Sequence, residues 1–321
     1  MDKRADNSRL KFLDVAKGIG ILLVVMGHCI PDASTFQTIS NSSFAFFHKI
    51  IYSFHMPLFF FISGFLVKQI LDSSQKFKII LKKFNRLLVP YFFVGICYLP
   101  LKIIFSQFAN KSYDFSEFWK IFIGINPDGE LWFLYALFLV SAVAIIFENR
   151  VNNFGLMLAW ILAVIDLHTT FLMIKFLWFN FFFVFGIYCR ANFPNFIEET
   201  TDKAAFVYLA AFALGNYFNL FFVPAATGIV VCLWISHKIS QTDSKTVKIF
   251  EILGLFSMDI YILSDLIKIP FRIIFWNFLH MYTATFWICF IGAVTGSIIL
   301  SKFIIRRSKI LSKLVLGLKI E

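Results

Sequence analysis

Apolar runs, each close to the length of a bilayer crossing, alternate with short polar connections along the whole chain. At about 20 apolar residues per crossing, the pattern predicts helices over residues 12–30, 46–68, 87–108, 130–148, 152–168, 170–190, 204–220, 222–238, 254–275 and 282–305. The fold class is therefore all-α, a polytopic membrane protein with about ten transmembrane helices. The division between the seventh and eighth runs rests on Asn216, Asn219 and Pro224. Composition agrees with the pattern: 59% of the 321 residues are hydrophobic and 15% charged, too few polar groups to cover a soluble globule.

Charge gives the runs a direction, because cytoplasmic connections hold the excess of lysine and arginine. With the N-terminus inside, cations fall on the N-terminal arm (Lys3, Arg4, Arg9, Lys11), the Lys68 to Arg86 connection, Glu148 to Arg150, Arg190 to Lys203, His237 to Lys248 and the tail. The connections Pro31 to Ala45 and Asn277 to Thr283, on the other side, carry almost none. Both termini are expected in the cytoplasm, with a basic arm over 1–11, one membrane domain over 12–305 and a basic amphipathic tail over 306–321. Asp14 and Lys17 interrupt the first run, and no small-x-small cleavage site follows it, so the first helix is expected to stay. The net charge of +11 is accounted for by topology and anionic membrane lipid, and no nucleic-acid module is implied. Cys29, Cys97, Cys189, Cys232 and Cys289 stand singly in apolar runs, with no spacing for a metal or a disulfide frame.

Candidate chemistry begins in the first helix, "LDVAKGIGILLVVMGH", residues 13–28. Eleven residues separate Lys17 from His28, about three turns and roughly 16 Å of rise, so the two share a face. Asp14 lies three residues before Lys17, where it can pair with the ammonium. A lysine inside a spanning helix costs about 2.5–3.5 kcal/mol on insertion scales, so such a stripe faces protein or water, unless Lys17 snorkels and His28 merely ends the helix. This helix alone leaves both open. The second run, "IYSFHMPLFFFISGFLVK", puts His55 at the depth of His28, and its Gly64 allows close helix approach. Lys82, Lys83 and Arg86 in "KKFNRLLVPYF" stand at a helix entrance, as topology signals or as phosphate contacts. In "PDGELWFLYAL", Trp132 suits an interfacial anchor or a sugar-stacking ring, and Glu130 a favourable helix-start charge.

In this order, "LDVAKGIGILLVVMGH", "YSFHMPLFFFISGFL", "NRLLVPYF" and "ELWFLYAL" resemble the acyltransferase-3 family of multipass membrane acyltransferases, especially its fucose 4-O-acetylase-like branch. The resemblance covers nearly the whole chain. It implies an O-acetyltransferase of a bacterial-type plasma membrane that takes acetyl-CoA from the cytoplasm as donor substrate, with no tightly bound cofactor and no metal. The acceptor it implies is a sugar hydroxyl of a surface or secreted glycan or its lipid-linked precursor. The family's cation and histidine, eleven residues apart, correspond to Lys17 and His28, with lysine here where most members carry arginine. His28 is then the catalytic base, while Lys17, Lys82, Lys83 and Arg86 meet the CoA phosphates and Asp14, His55, Glu130 and Trp132 support the site or border the acceptor. Where many relatives have a histidine after "IYLL", this chain reads "DIYILSDLIKIPFR" with Asp265, which can pair with Lys268 or orient the acceptor. A histidine titrates at about pH 6.5, which suits proton removal from a sugar hydroxyl. An anion or glycan-precursor transporter would use the same buried ionisable groups, but no internal repeat or paired broken helix favours it.

Overall fold

The computed structural model describes residues 10–30, 42–70, 72–104, 115–168, 175–242 and 244–319. Lys3, Arg4 and Arg9 of the basic arm and residues 31–41 of the first cation-poor connection lie outside them. The described residues form helices and no strand. In chain order these are α1 (Lys11–Cys29), α2 (Ser42–Phe65), α3 (Lys76–Lys83), α4 (Val89–Ile104), α5 (Trp132–Ile146), α6 (Asn153–His168), α7 (Phe176–Asn192), α8 (Asp202–Tyr217), α9 (Phe222–Ser240), α10 (Lys245–Leu255), α11 (Ser257–Phe271), α12 (Tyr282–Phe303) and α13 (Lys309–Leu316). Among the described residues, six helical stretches are long and apolar enough to cross a membrane: Lys11–Cys29, Phe44–Phe65, Ser73–Ile104, Gly129–Ile146, Phe222–Ser240 and Thr283–Arg307. The chain is a multi-pass membrane protein.

The connection expected over 68–86 is largely helical. α3 runs through a π-helical turn, Phe84–Leu88, into α4 without a break. Pro90 explains the turn. In a regular α-helix its ring would press on the carbonyl of Arg86 and leave that carbonyl unbonded. Widening the turn relieves the clash, and the Val89 amide bonds instead to the Phe84 carbonyl, five residues back.

Two compact units make up the chain: residues 1–59 with 193–257, and residues 60–192 with 258–321. In the first, α1 packs on α9 and α10, and α9 on α8. Gly18 and Gly254 make the closest crossing, where a Cβ on either would overlap the carbonyl of Phe250 or of Asp14. The expected division of the 204–238 stretch falls between Tyr217 and Phe222, with Asn219 at φ 56° reversing the chain.

In the second unit Gly64 meets the backbone of Phe183 on α7, and Gly186 that of Phe61. This is the close approach expected of Gly64, made with α7. The last segment is anchored by two arginines. Arg306 grips the fully buried Asp259 with Nε to Oδ2 at 2.8 Å and Nη2 to Oδ1 at 3.1 Å. Arg86 donates to the carbonyl of Leu316, where α13 ends on Gly317 in the left-handed region (φ 61°). α13 packs on α4, with Val315 and Leu316 buried.

Candidate active site

The first unit gathers polar groups at two levels of α1. Lys17 Nζ lies 3.2 Å from Asp14 Oδ1, and the carboxylate is buried. The lysine thus has a counter-ion one helical turn away. Eleven residues on, His28 is half-buried, with Nδ1 3.5 Å from the Tyr52 hydroxyl. Tyr52 gathers the histidines of α2 around the same point. His48 stacks on its ring at 3.9 Å, and His55 meets it edge-on at 4.8 Å between centroids. His55 is 1% exposed, and its Nδ1 is 2.7 Å from the carbonyl of Ile51. Because a carbonyl only accepts, that nitrogen carries a proton, and Nε2 is the remaining polar atom of the ring. Among the described residues no three His, Cys, Asp or Glu side chains converge as a metal site.

The second unit holds a buried charge cluster at the start of α5. Asp128 caps the short turn by accepting from the Glu130 amide at 3.0 Å. Glu130 Oε1 lies 2.5 Å from Lys268 Nζ, and that ammonium lies 3.2 Å from Asp265 Oδ1. The Tyr98 hydroxyl donates to Asp265 Oδ2, and that of Tyr261 to the carbonyl of Glu130. Glu130 is thus more than a helix-start charge: it shares with Asp265 a lysine that is 1% exposed. The Asp265–Lys268 pair is the contact expected from their spacing of three. Tyr98, Tyr261 and Asp128 were not singled out in the sequence; Tyr98 reaches the cluster from a separate stretch, whereas Asp128 and Tyr261 lie beside Glu130 and Asp265 in the quoted motifs. Trp132 is half-buried and packs on Phe179 at 4.9 Å and, nearly parallel, on Phe60 at 6.4 Å, inside an aromatic group.

The three cations at the entrance to α4 separate. Lys82 is exposed, Lys83 lines a cleft, and Arg86 holds the tail.

Lys17 and His28 on one helix, the histidines of α2 and the acid-tryptophan start of α5 are arranged within a span that matches, over residues 10–302, the family profile described as an acyltransferase domain. The chain belongs to the acyltransferase-3 family. This acyltransferase-3 chain is also similar to two curated proteins, both named Nodulation protein NolL. That of Sinorhizobium fredii is 29% identical over 160 residues, which is 50% of this chain and 41% of the relative. That of Mesorhizobium japonicum is 28% identical over 161 residues, 49% of this chain and 40% of the relative. The matched part therefore spans about two fifths of each relative's length. No solved structure matches this acyltransferase-3 chain significantly.

Proposed function

We propose that this protein is a membrane O-acyltransferase that moves an acetyl group from cytoplasmic acetyl-CoA to a sugar hydroxyl of a surface or secreted glycan, or of its lipid-linked precursor. In this reading the chain crosses a bacterial plasma membrane about ten times, with both termini cytoplasmic. The observation that carries it is the acyltransferase-domain match across residues 10–302, which contains every candidate residue.

The proposed step is direct transfer. The sugar oxygen attacks the thioester carbonyl while His28 takes its proton, the carbon–sulfur bond breaks, and the CoA thiolate leaves and is protonated. In the tautomer that donates Nδ1–H to the Tyr52 oxygen, Nε2 holds the lone pair that accepts the sugar proton. Asp14 orients Lys17, and Lys17, Lys82, Lys83 and Arg86 are each proposed as contacts for the donor's phosphates. Asp265 and Glu130 are assigned to the acceptor through their hold on Lys268.

Mass spectrometry of surface glycans from cells with and without the gene tests the reaction. The expected difference is one acetyl group per modified sugar, lost again when His28→Ala replaces the native chain at equal membrane abundance. Identical glycans would overturn the function. An active His28→Ala variant would overturn the role of His28 alone.

A further inference from the structure

The second unit contains a cleft of about 510 Å³, bordered by residues 66–70 and 72–79 and the end of α5. That volume is in the range of small-molecule sites. Leu66, Val67 and Ile79 give it apolar surface, and the cations Lys68 and Lys83 lie on its lining together with the carboxylate of Asp72, which accepts from the amide and hydroxyl of Ser74. Two lining residues, Ser141 and Asn149, carry a buried polar atom with no hydrogen-bond partner, Ser141 Oγ and Asn149 Oδ1. They are 1% and 7% exposed. The amide is oriented without ambiguity, because Asn149 Nδ2 donates to the Lys68 carbonyl at 2.8 Å and leaves Oδ1 as the acceptor still to be satisfied. Burying such atoms unbonded destabilises a fold, so two of them on one cleft are places where a bound molecule can supply the missing partner.

The backbone around Asn149 is held firmly. Glu148 and Asn149 both adopt left-handed conformations, φ 57° and 55°, which non-glycine residues rarely do. Their turn is fastened to the stretch before α3. The Ile70 amide donates to the Glu148 carbonyl at 3.0 Å, the Ser73 hydroxyl to Glu148 Oε1 at 2.6 Å, and Lys76 Nζ lies 3.2 Å from the same oxygen. Strain kept in place by such contacts is a mark of functional sites.

The chemistry of the lining selects its ligand. An amide oxygen accepts an N–H or O–H from the ligand, a serine hydroxyl can donate or accept, ammonium groups attract an anion, and apolar side chains pack on a ring. A purine with an exocyclic amine and attached phosphates offers all four. We infer that this cleft binds the phosphorylated adenosine end of the acyl-CoA donor, with the adenine amine on Asn149 Oδ1, Ser141 Oγ at the ring edge and phosphates toward Lys83 and Lys68. The inference rests on the acyl-CoA reading above and adds to it the place of the nucleotide.

Calorimetric titration of the full chain, in nanodiscs of phosphatidylcholine alone, with CoA and with adenosine 3′,5′-bisphosphate tests it. Both ligands bind the native chain. Ser141→Ala weakens both by about fivefold, the loss of one hydrogen bond, and Lys83→Gln by about tenfold, the loss of a charged one. Ser141→Ala unfolds no earlier than the native chain, because its hydroxyl has no protein partner to lose, so its weaker binding is not a folding defect. Lys78→Gln, exposed on the same α3, binds as the native chain does. Native affinity in both cleft variants, with acetyl transfer intact, overturns the cleft assignment and leaves the function standing. Displacement of CoA by inorganic phosphate or phosphatidylethanolamine as readily as by the bisphosphate assigns the cleft to a phosphate or a lipid headgroup and overturns the adenosine site. A native chain that neither binds CoA nor transfers acetyl overturns both readings.

Discussion

Replacing Lys268 with methionine removes the cation that two carboxylates share and keeps the length of the side chain. At an effective dielectric of about 20, the attractions at 2.5 Å to Glu130 and 3.2 Å to Asp265 amount to about 7 and about 5 kcal/mol before desolvation is counted. Removing one partner of a buried pair costs about 3–5 kcal/mol in practice, because the charge left behind has lost its compensation. The carboxylates can lower that cost by taking up a proton. Lys268→Met should therefore lower the thermal midpoint of the detergent-solubilised protein by roughly 5 °C, at about 1.5 °C per kcal/mol for a chain of 321 residues. The combination Lys268→Met, Glu130→Gln and Asp265→Asn removes the stranded charges along with the cation and should recover at least half of the loss. Fluorescence-detected size exclusion after a heating series reads both. A Lys268→Met protein as stable as the native one, or a triple variant no better than the single, would refute the view that this lysine neutralises the cluster.

Three further outcomes are expected. Lys17→Arg should retain most acetyl transfer, because an arginine keeps the charge beside Asp14, whereas Lys17→Met should lose most of it and leave the buried Asp14 without its 3.2 Å partner; glycan mass spectrometry at matched expression compares the two. Gly64→Ala should destabilise the protein by about 1–3 kcal/mol, since its Cβ overlaps the backbone of Phe183, while Gly129→Ala, with nothing within 4 Å, should not; thermal midpoints decide. The hydrogen bonds from Ser73 and then Lys76 hold the Glu148 carboxyl below its ordinary range. A carboxyl lowered by folding stabilises the turn above the ordinary value of about 4.3 and stops doing so as pH falls through the folded value. Hydrogen-exchange protection of the Ile70 amide should accordingly be full near neutrality and fall below about pH 4, and Glu148→Gln should flatten that profile.

The apolar runs showed the helices well where one run makes one helix, as in α1 and α9. Hydropathy failed over 68–86, because it reports polarity and not backbone: "KFKIILKK" is too charged to count as a crossing, yet it is helical. Spacing alone revealed the local pairs, Asp14 with Lys17 and Asp265 with Lys268. It could not reveal that Tyr98 donates to Asp265 across 167 positions, or that Lys268 reaches Glu130 across 138. Such contacts depend on which helices become neighbours, and no local periodicity encodes that. Asn149 escaped notice for another reason. Its value to the cleft lies in one amide oxygen left over after the turn is made, a remainder visible only once the turn's own hydrogen bonds are assigned.

The π-helical turn at Phe84–Leu88 has a consequence for how the cations of α3 are aimed. A turn of this kind holds one residue more than an α-helical turn, and each residue advances a helix by about 100°. Deleting a single residue there would restore α-helical spacing and with it the Pro90 clash, and it would swing Lys76, Lys83 and the rest of α3 by more than a quarter of a circle relative to α4. The extra residue acts as an indexing step, and the same lysines one notch away would point at different neighbours.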